Sequence, residues 1–255
     1  IFVGPWRSEV GFECLYWLPW LTAWLTKWKI NPERIVALSR GGASTWYPGT
    51  QPVELYDYVP VASLRRAMLA GSLEHGTVKQ YETIPLEQAL LPVIAEDLGI
   101  RRYHVLHPRR MYHALTPWFN GQMGLAAILK HLAFGPFTVT HPPLDLPLPT
   151  NYVAVSFYGR ATWPLDEERR DWVLALIEGL QKIVPVVALE SGVHTDEHVP
   201  FPLPQGVLST QPWCTATNGL AVQAAVLAKS HAFVGTYGGM MQLAVRMKKP
   251  AVGFY

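Results

Sequence analysis

The sequence has few cysteines and few charges, and each shortage excludes a class of protein. Among its 255 residues are only two cysteines, Cys14 and Cys214, which give neither a disulfide framework nor the spacing of a metal site. We interpret both as small buried apolar side chains, which suits a reducing compartment. Charged residues make up 16% of the chain and the formal net charge is +2. Nucleic acid is therefore not an expected partner, because binding to a phosphate backbone needs a clustered basic surface.

Membrane-spanning and export signals are also missing from the sequence. No segment approaches the ~18 consecutive apolar residues of a membrane helix, and no signal peptide is visible. The longest candidate, residues 12–28, is interrupted by Glu13, Pro19 and Lys27. The sequence therefore predicts a cytoplasmic protein.

Tryptophan, in contrast, is abundant, with ten in the chain. Trp17, Trp20, Trp24 and Trp28 are separated by 3, 4 and 4 residues, which predicts a helix that Pro19 starts or kinks. Three interpretations of this stripe are open: core packing, a platform for an acceptor, or a face that lies at a membrane interface. The last would place the protein at the inner face of the membrane.

Short apolar runs alternate with amphipathic segments along the chain. We predict strands at 1–3, 34–39, 103–106, 152–158, 184–189, 206–209, 232–235 and 251–255, and helices at 12–28, 63–73, 86–98, 122–133, 165–181, 220–229 and 240–248. This alternation predicts an α/β fold with parallel sheets covered on both faces. In such sheets ligands bind at the carboxyl ends of the strands, so we expect functional residues directly after strands.

A proline-rich segment divides the chain. Residues 141–149 contain four prolines, which favour an extended conformation and exclude a helix. We predict an N-terminal domain at 1–140, a linker at 141–150 and a C-terminal domain at 151–255. The alternative is a rigid surface loop inside one domain.

The loop after the first predicted strand concentrates polar residues. The segment GPWRSEVGFE, residues 4–13, contains Arg7, Ser8, Glu9, Gly11 and Glu13. A carboxylate in a concave apolar setting can have a raised pKa and serve as a general base. A helix that begins near Gly11 offers free N–H groups to an anion or a hydroxyl. The alternative is that Ser8 and Glu9 only cap the helix.

An arginine follows the first strand of the C-terminal half. Arg160 lies in the segment SFYGRATWP, residues 156–164, directly after a glycine. A guanidinium that a glycine turn presents at a strand end suits bidentate binding of a phosphate. The alternative is a surface arginine with Trp163 packed beside it.

The closing segment VGTYGGMMQLAVRMKKPAVGFY, residues 234–255, reads as strand, glycine turn, helix and strand. Gly238 and Gly239 precede the helix, and its N-terminal N–H groups can hold an anion without a lysine. Thr236 and Tyr237 add hydroxyl groups at the same place. The alternative is a tight connection between a strand and a helix.

Two further residues are candidates for binding a nucleotide. Glu190 ends another predicted strand, where its carboxylate can accept hydrogen bonds from ribose hydroxyls. Trp213, in the segment QPWCT, can stack on a nucleobase. The alternatives are a glutamate that caps a helix and a tryptophan that packs in the core.

The segment AKSHAFVGTYGGMMQLAVRMKKPAVGFY, residues 228–255, resembles the nucleotide-sugar site of GT-B glycosyltransferases, in particular heptosyltransferase-like enzymes of bacterial surface polysaccharides. In these enzymes a strand ends in a glycine turn, a helix follows, and "KP" leads into the next strand. The segment GPWRSEVGFECLYWLPWL, residues 4–21, is similar to their first strand–loop–helix unit. The turn Thr-Tyr-Gly-Gly departs from their Asp-(Ser/Thr)-Gly followed by His, so the donor need not be ADP-heptose.

The resemblance implies a GT-B-like α/β fold, with two Rossmann-like domains that face each other across a cleft. It implies a metal-independent transfer of sugar from a nucleotide-sugar, which is a substrate and not a cofactor, to a glycan or lipid-linked acceptor. Arg160, Gly238 and Gly239 would bind the diphosphate, and Glu9 or Glu13 would activate the acceptor hydroxyl beside Arg7. GT-B chains are commonly longer, so we also expect a C-terminal segment beyond Tyr255.

Two other functions stay open at this point. The first is an epimerase or hydrolase of the same fold, which would turn over a nucleotide-sugar without an acceptor. The second is a non-catalytic, two-domain carbohydrate-binding protein, which would use the abundant aromatic side chains and would not bind nucleotides. Fold analogy alone does not decide between these activities.

Overall fold

Two compact units divide the chain, Ile1–Pro136 (unit 1) and Phe137–Tyr255 (unit 2). The structure, a computed structural model, describes residues 1–75, 80–137, 139, 146–160, 163–164, 166–193 and 198–255. Residues 141–145 of the predicted linker, together with Ala161 and Thr162 of the segment around Arg160, lie outside the described residues.

Unit 1 is built on four short strands and the helices that connect them. Its strands are β1 (Phe2–Val3), β2 (Val36–Ser39), β3 (Gln51–Glu54) and β4 (Val105–Leu106). Its α-helices are α1 (Val10–Phe12), α2 (Leu18–Trp28), α3 (Val61–His75), α4 (Pro85–Asp97), α5 (Arg109–Phe119) and α6 (Leu125–Ile128). Shorter 3₁₀ turns lie at Pro32–Arg34, Ala43–Trp46, Leu55–Asp57 and Leu129–His131.

The strands of unit 1 form a parallel sheet in the order β3-β2-β1-β4. The chain winds outward from β1 to β3 and then returns to place β4 on the other side of β1. Phe2 of β1 accordingly pairs with Val36 on one side and with Val105 on the other. The carboxyl ends of β1 and β4 therefore form a topological switch point, where parallel sheets bind ligands.

Unit 2 repeats this plan with a larger sheet. Its strands are β5 (Val153–Ser156), β6 (Tyr158–Gly159), β7 (Val186–Ala188), β8 (Val199–Pro200), β9 (Leu208–Ser209), β10 (Ala232–Thr236) and β11 (Ala251–Phe254). Its helices are α7 (Glu167–Gln181), α8 (Gly219–Lys229) and α9 (Gly239–Arg246), with a 3₁₀ turn at Gln211–Trp213.

Five strands of unit 2 form a parallel sheet in the order β11-β10-β5-β7-β9. Its switch point lies between β5 and β10, which start the two halves of the sheet. The small antiparallel pair β6–β8 lies directly after β5 and was not predicted. The predicted α/β class with parallel sheets is confirmed in both units.

The tryptophan stripe lies on one long helix that the chain builds in three pieces. A π-helical turn, Glu13–Trp17, joins α1 to α2 and ends two residues before Pro19, which has no N–H to continue a regular α-helix. Trp17 is fully buried, whereas Trp28 is 59% exposed. The start of the stripe therefore packs in the core, as the first interpretation expected. Among the described residues, no helix is long and apolar enough to cross a bilayer.

Candidate active site

The turns after β5 and β10 meet at the switch point of unit 2. The Thr236 hydroxyl joins them: its Oγ1 accepts a hydrogen bond from the Tyr158 backbone N–H (3.1 Å) and lies 3.2 Å from the Tyr158 carbonyl oxygen. Thr236 is only 1% exposed. The predicted donor-site residue Thr236 therefore fixes the two turns against each other from inside the fold.

The glycine turn that opens α9 lies against the side chain of Tyr158. A Cβ atom on Gly238 would come within 1.8 Å of the Tyr158 hydroxyl oxygen, so a larger residue would displace that ring. The ring of Tyr158 in turn stacks on His198, with 3.9 Å between the ring centroids. Helix α9 begins at Gly239, and its first N–H groups have no partner within the helix. Tyr237, the residue before the turn, is 41% exposed.

Arg160 directly follows the strand pair at the same switch point. Its backbone is fixed by two hydrogen bonds with Trp163, from the Arg160 N–H to the Trp163 carbonyl (3.1 Å) and in the reverse sense (2.9 Å). Its Nε atom is buried and has no hydrogen-bond partner among the residues that the structure describes. Because buried donors are nearly always paired, this guanidinium is suited to an incoming anion.

Glu190 and Trp213 follow β7 and β9 at the same edge of the sheet. The Glu190 carboxylate accepts a hydrogen bond of 2.6 Å from the Ser209 hydroxyl and is half-buried. Trp213 is also half-buried and ends the 3₁₀ turn after β9. The fold of unit 2 therefore brings all the predicted donor-binding residues to one edge of one sheet.

In unit 1, the loop after β1 presents a single exposed carboxylate. Residues 2–8 are all buried, and Glu9 is the first exposed residue. Glu9 occupies the N-cap position of α1, yet its side chain makes no capping hydrogen bond. The alternative that Glu9 serves as a helix cap therefore lacks its defining contact, and the carboxylate lies at the switch-point edge.

Glu13, the other predicted carboxylate, is fully buried, and both of its carboxylate oxygens have polar partners. It forms an ion pair with Arg40, from Oε2 to Nη1 at 2.9 Å. Its Oε1 accepts hydrogen bonds from the hydroxyls of Ser39 (2.7 Å) and Tyr47 (2.8 Å). Burial raises the pKa of Glu13, and the charge of Arg40 opposes that shift. These contacts occupy the carboxylate of Glu13 inside the fold, whereas the carboxylate of Glu9 is exposed.

Arg7 is also buried and paired within the fold. Its Nε lies 2.7 Å from Oε1 of Glu87, and the Nε2 of His107 lies 3.3 Å from the same carboxylate. Burial acts to raise the pKa of Glu87, but the hydrogen bond with His107 and the charge of Arg7 outweigh it and lower that pKa. Arg7 therefore anchors its loop, and the predicted acceptor-side residues Ser8 and Gly11 are buried beside it.

Several polar residues at these edges were missed by the sequence analysis: Arg40, Gln80, Glu87, His107 and Tyr158. His107 follows a predicted strand by one residue and was open to the same reasoning as Arg160. Glu87 lies at the third position of α4, where its Oε2 accepts a hydrogen bond from the Ile84 N–H (2.8 Å). That position is a known signal for helix starts. No sequence signal marks Gln80.

Comparison with known proteins identifies the fold. No protein-family model and no curated protein matches the sequence. Among solved structures, the chain is similar to the dodecameric iron-containing heptosyltransferase TibC in complex with ADP-D-β-D-heptose, with a TM-score of 0.52 and 12% identity. A second structure of TibC, from enterotoxigenic E. coli H10407, gives the same TM-score and identity. The structure of E. coli WaaC with ADP-2-deoxy-2-fluoro heptose gives a TM-score of 0.44 and 15% identity. That match covers 88% of the WaaC chain.

The TibC structures are those of a glycosyltransferase, so the predicted resemblance and the GT-B-like α/β fold are confirmed as a likeness of fold. The match with TibC covers 99% of this chain but only 57% of TibC, so the chain spans a little over half the length of that protein. The cleft between the domains, the domain bounds and the roles of the site residues stay predictions.

Proposed function

We propose that this protein is a glycosyltransferase that moves a sugar from a nucleotide-sugar donor to an acceptor hydroxyl. The observation that carries the proposal is the order of side chains along the carboxyl edge of unit 2. From β10 to β9 the edge presents the glycine turn at 238–239, then Arg160, then Glu190, then Trp213. This is the order of the groups in a nucleoside diphosphate: diphosphate, ribose and base.

The length of this edge supports the same ligand class. Neighbouring strands lie ~4.8 Å apart, so the distance from β10 to β9 is roughly 14 Å. An extended nucleoside diphosphate has a length of this order. The phosphates would lie at the N-terminus of α9 beside Arg160, the ribose would hydrogen-bond to Glu190, and the base would stack on Trp213.

The reaction would begin with Glu9 of unit 1. Its carboxylate takes the proton of the acceptor hydroxyl, and the acceptor oxygen attacks the anomeric carbon of the donor. The bond between that carbon and the phosphate oxygen breaks, and the nucleoside diphosphate leaves. Arg160 and the N–H groups at the start of α9 stabilise the charge that develops on the leaving group.

Aromatic side chains beside Glu9 support a glycan or a lipid-linked glycan as the acceptor. Phe12, the last residue of the helix α1 that Glu9 precedes, packs on Tyr16 (5.1 Å between ring centroids) and on Phe119 (5.7 Å). All three rings are half-exposed. The C–H face of a sugar ring packs well on aromatic faces of this kind. We propose contact with the inner face of the membrane only for a lipid-linked acceptor.

We also propose that the transfer needs no metal ion. Among the described residues, no group of three or more His, Cys, Asp or Glu side chains is placed to hold a metal ion. TibC is an iron-containing protein. Metal analysis of the purified protein, and donor turnover in the presence of a chelator, would test this part directly.

Replacing Arg160 tests the donor site. We expect Arg160→Ala to weaken the binding of a nucleoside diphosphate by about tenfold or more, because a charge-assisted contact to the phosphate is lost. Arg170→Ala is the matched control, since Arg170 is exposed on α7. The measurement is isothermal titration with ADP, UDP, GDP and dTDP against wild type and both variants.

Two outcomes of these titrations, and one outcome of a turnover assay with a nucleotide-sugar, would contradict the proposal or redirect it. Equal affinity in Arg160→Ala and wild type would overturn the assignment of the diphosphate site. Binding of free sugars without any nucleotide affinity would indicate the carbohydrate-binding protein. Turnover of a nucleotide-sugar at the same rate with and without acceptor would indicate the hydrolase or epimerase.

A further inference from the structure

The loop that presents Glu9 is held by side chains from distant parts of unit 1. The N–H of Trp6 donates to the carbonyl of Leu38 (2.8 Å), and the guanidinium of Arg40 donates to the carbonyl of Ser8. These contacts fix both sides of the loop where it leaves β1. A loop tied this closely has little freedom to move Glu9 relative to the sheet.

The side chain of Gln80 forms several hydrogen bonds with the backbone of this loop. Its Oε1 accepts hydrogen bonds from the N–H groups of Arg7 (3.0 Å) and Ser8 (3.2 Å). Its Nε2 donates to the carbonyl of Pro5 (2.9 Å) and lies 3.3 Å from Oε1 of Glu87. Gln80 is 0% exposed, so water does not replace any of these contacts. One amide therefore satisfies three backbone groups of the loop.

Only a neutral side chain with both a donor and an acceptor fits this position. The two loop N–H groups need an oxygen, and the Pro5 carbonyl needs a donor. Glu87 lies next to the amide nitrogen and is already paired with Arg7. A carboxylate in place of the Gln80 amide would face two acceptors, which are the Pro5 carbonyl and Glu87.

We propose that Gln80 is a positioning residue, which holds residues 5–8 so that Glu9 meets the acceptor hydroxyl. The inference rests on the proposed glycosyl transfer, and it deepens that proposal by naming the residue that preorganises the acceptor side. Gln80 acts through the backbone and does not touch the substrate. Loss of its contacts should therefore change the rate of the chemical step more than the binding of the donor.

The first test is Gln80→Met, which keeps the length of the side chain and removes its polar atoms. We expect kcat to fall by roughly 100-fold, since a small displacement of a catalytic group has an effect of that size. The KM for the nucleotide-sugar should stay within about twofold, because Gln80 does not contact the nucleotide-sugar in the proposed site. Gln88→Met is the matched control: Gln88 is exposed on α4, and its side chain donates a hydrogen bond to the Thr83 hydroxyl (3.3 Å).

Hydrogen exchange separates this inference from the proposed function. In wild type the Arg7 and Ser8 amides should be protected, because both donate to Gln80. In Gln80→Met we expect their exchange to be faster by about tenfold or more, with little change in the amides of unit 2. Unchanged exchange in residues 5–9 would overturn the inference, whatever the activity of the protein.

A second variant keeps the test decisive if Gln80→Met does not fold. In Gln80→Glu the introduced carboxyl is buried beside Glu87, and both burial and the like charge raise its pKa. Its protonated form restores one donor and one acceptor. We therefore expect the ratio of the Gln80→Glu rate to the wild-type rate to rise as the pH falls. A ratio that does not change with pH would overturn the positioning role.

The remaining outcomes are also distinct. Faster loop exchange with an unchanged kcat would overturn the catalytic role of the loop. No turnover of any nucleotide-sugar by wild type would overturn the proposed function, and the role of Gln80 in catalysis with it. We expect Gln80→Met to lower kcat and to speed the exchange of the Arg7 and Ser8 amides, while the KM for the nucleotide-sugar stays nearly unchanged.

Discussion

The carboxyl edges of the two sheets are built differently, although both units have the same parallel α/β plan. At the edge of unit 1 the charged side chains of Glu13, Arg40 and Glu87 are buried and paired with partners inside the fold. At the edge of unit 2 the Thr236 hydroxyl joins the turns after β5 and β10, and the buried Nε of Arg160 has no partner among the described residues. The first edge fixes its own loop, whereas the second leaves the Nε of Arg160 and the first N–H groups of α9 without partners among the described residues and within the helix, respectively.

This difference matches the tasks that we propose for the two edges. A catalytic group must be held close to its productive geometry, and buried hydrogen bonds around it do so. An anion site needs donors that the fold leaves unused, such as helix N-terminal N–H groups and a guanidinium.

Removing the cation from the Glu13–Arg40 pair should damage unit 1 most. In Arg40→Met the Glu13 carboxylate keeps its place at 0% exposure but loses its counter-charge. We expect the free energy of unfolding to fall by about 3–5 kcal/mol, the usual effect of breaking a buried ion pair. Urea unfolding, followed by tryptophan fluorescence, would measure it.

An ion pair on the surface of unit 2 is the matched control. Arg169 pairs with Asp166 at the start of α7, where both side chains are more than one-third exposed. Arg169→Met should lower the free energy of unfolding by less than about 1 kcal/mol. The double variant Glu13→Gln/Arg40→Met should recover part of the loss, because no charge is then left buried. Equal losses in Arg40→Met and Arg169→Met would contradict the account of the unit 1 edge.

At the edge of unit 2, a methyl group on the glycine turn should weaken ligand binding and leave stability nearly unchanged. In Gly238→Ala the new Cβ would meet the Tyr158 hydroxyl oxygen at 1.8 Å, so the ring has to move away from the start of α9. We expect about tenfold weaker binding of a nucleoside diphosphate, equivalent to about 1.4 kcal/mol. Titration calorimetry would measure this affinity.

Tyr158→Phe tests whether the displaced Tyr158 ring causes the weaker binding in Gly238→Ala. The substitution removes the oxygen that the new methyl group would meet, so Gly238→Ala/Tyr158→Phe should bind the nucleotide more tightly than Gly238→Ala alone. Non-additivity of this kind is expected for residues in direct contact. Additive effects in the double variant would show that the turn does not depend on the Tyr158 ring.

The difference between the edges also explains what the sequence could predict. The residues of unit 2 follow strands, and the rule that ligands bind at strand ends placed Arg160, Glu190, Trp213 and the glycine turn on one edge. In unit 1 the same rule selected Glu9 and Glu13 together. It could not separate them, because the burial of Glu13 depends on Arg40, Ser39 and Tyr47, which lie 26 to 34 residues away in sequence.

The predicted elements differ from the structure for local reasons. The strand β3 was missed because Gln51 is polar and Pro52 has no N–H to donate to a neighbouring strand. However, β3 is an outermost strand of its sheet, where proline is tolerated. The helix α5 was also missed, although its buried residues Met111, Tyr112 and Leu115 have helical spacing. The predicted helix at 122–133 is much shorter, Leu125–Ile128, followed by a 3₁₀ turn.

The last prediction concerns the pH dependence of unit 1. Glu54, the last residue of β3, accepts hydrogen bonds from the N–H groups of Gly41 (3.0 Å), Gly42 (2.7 Å) and Tyr56 (3.0 Å). Burial nevertheless raises the pKa of Glu54 to about 7. The folded protein therefore binds a proton here more tightly than the unfolded chain, whose glutamate has the ordinary, lower pKa.

The sign of the effect follows from this order of pKa values. The stability that protonated Glu54 contributes is fully present below the unfolded pKa, and it is lost as the pH rises through about 7. Glu54→Gln has no proton to lose, so wild type should lose roughly 2–3 kcal/mol relative to this variant between about pH 5 and pH 8. Urea unfolding across that range measures the difference. Parallel pH profiles for the two proteins would show that burial at the unit 1 edge does not raise the pKa of Glu54.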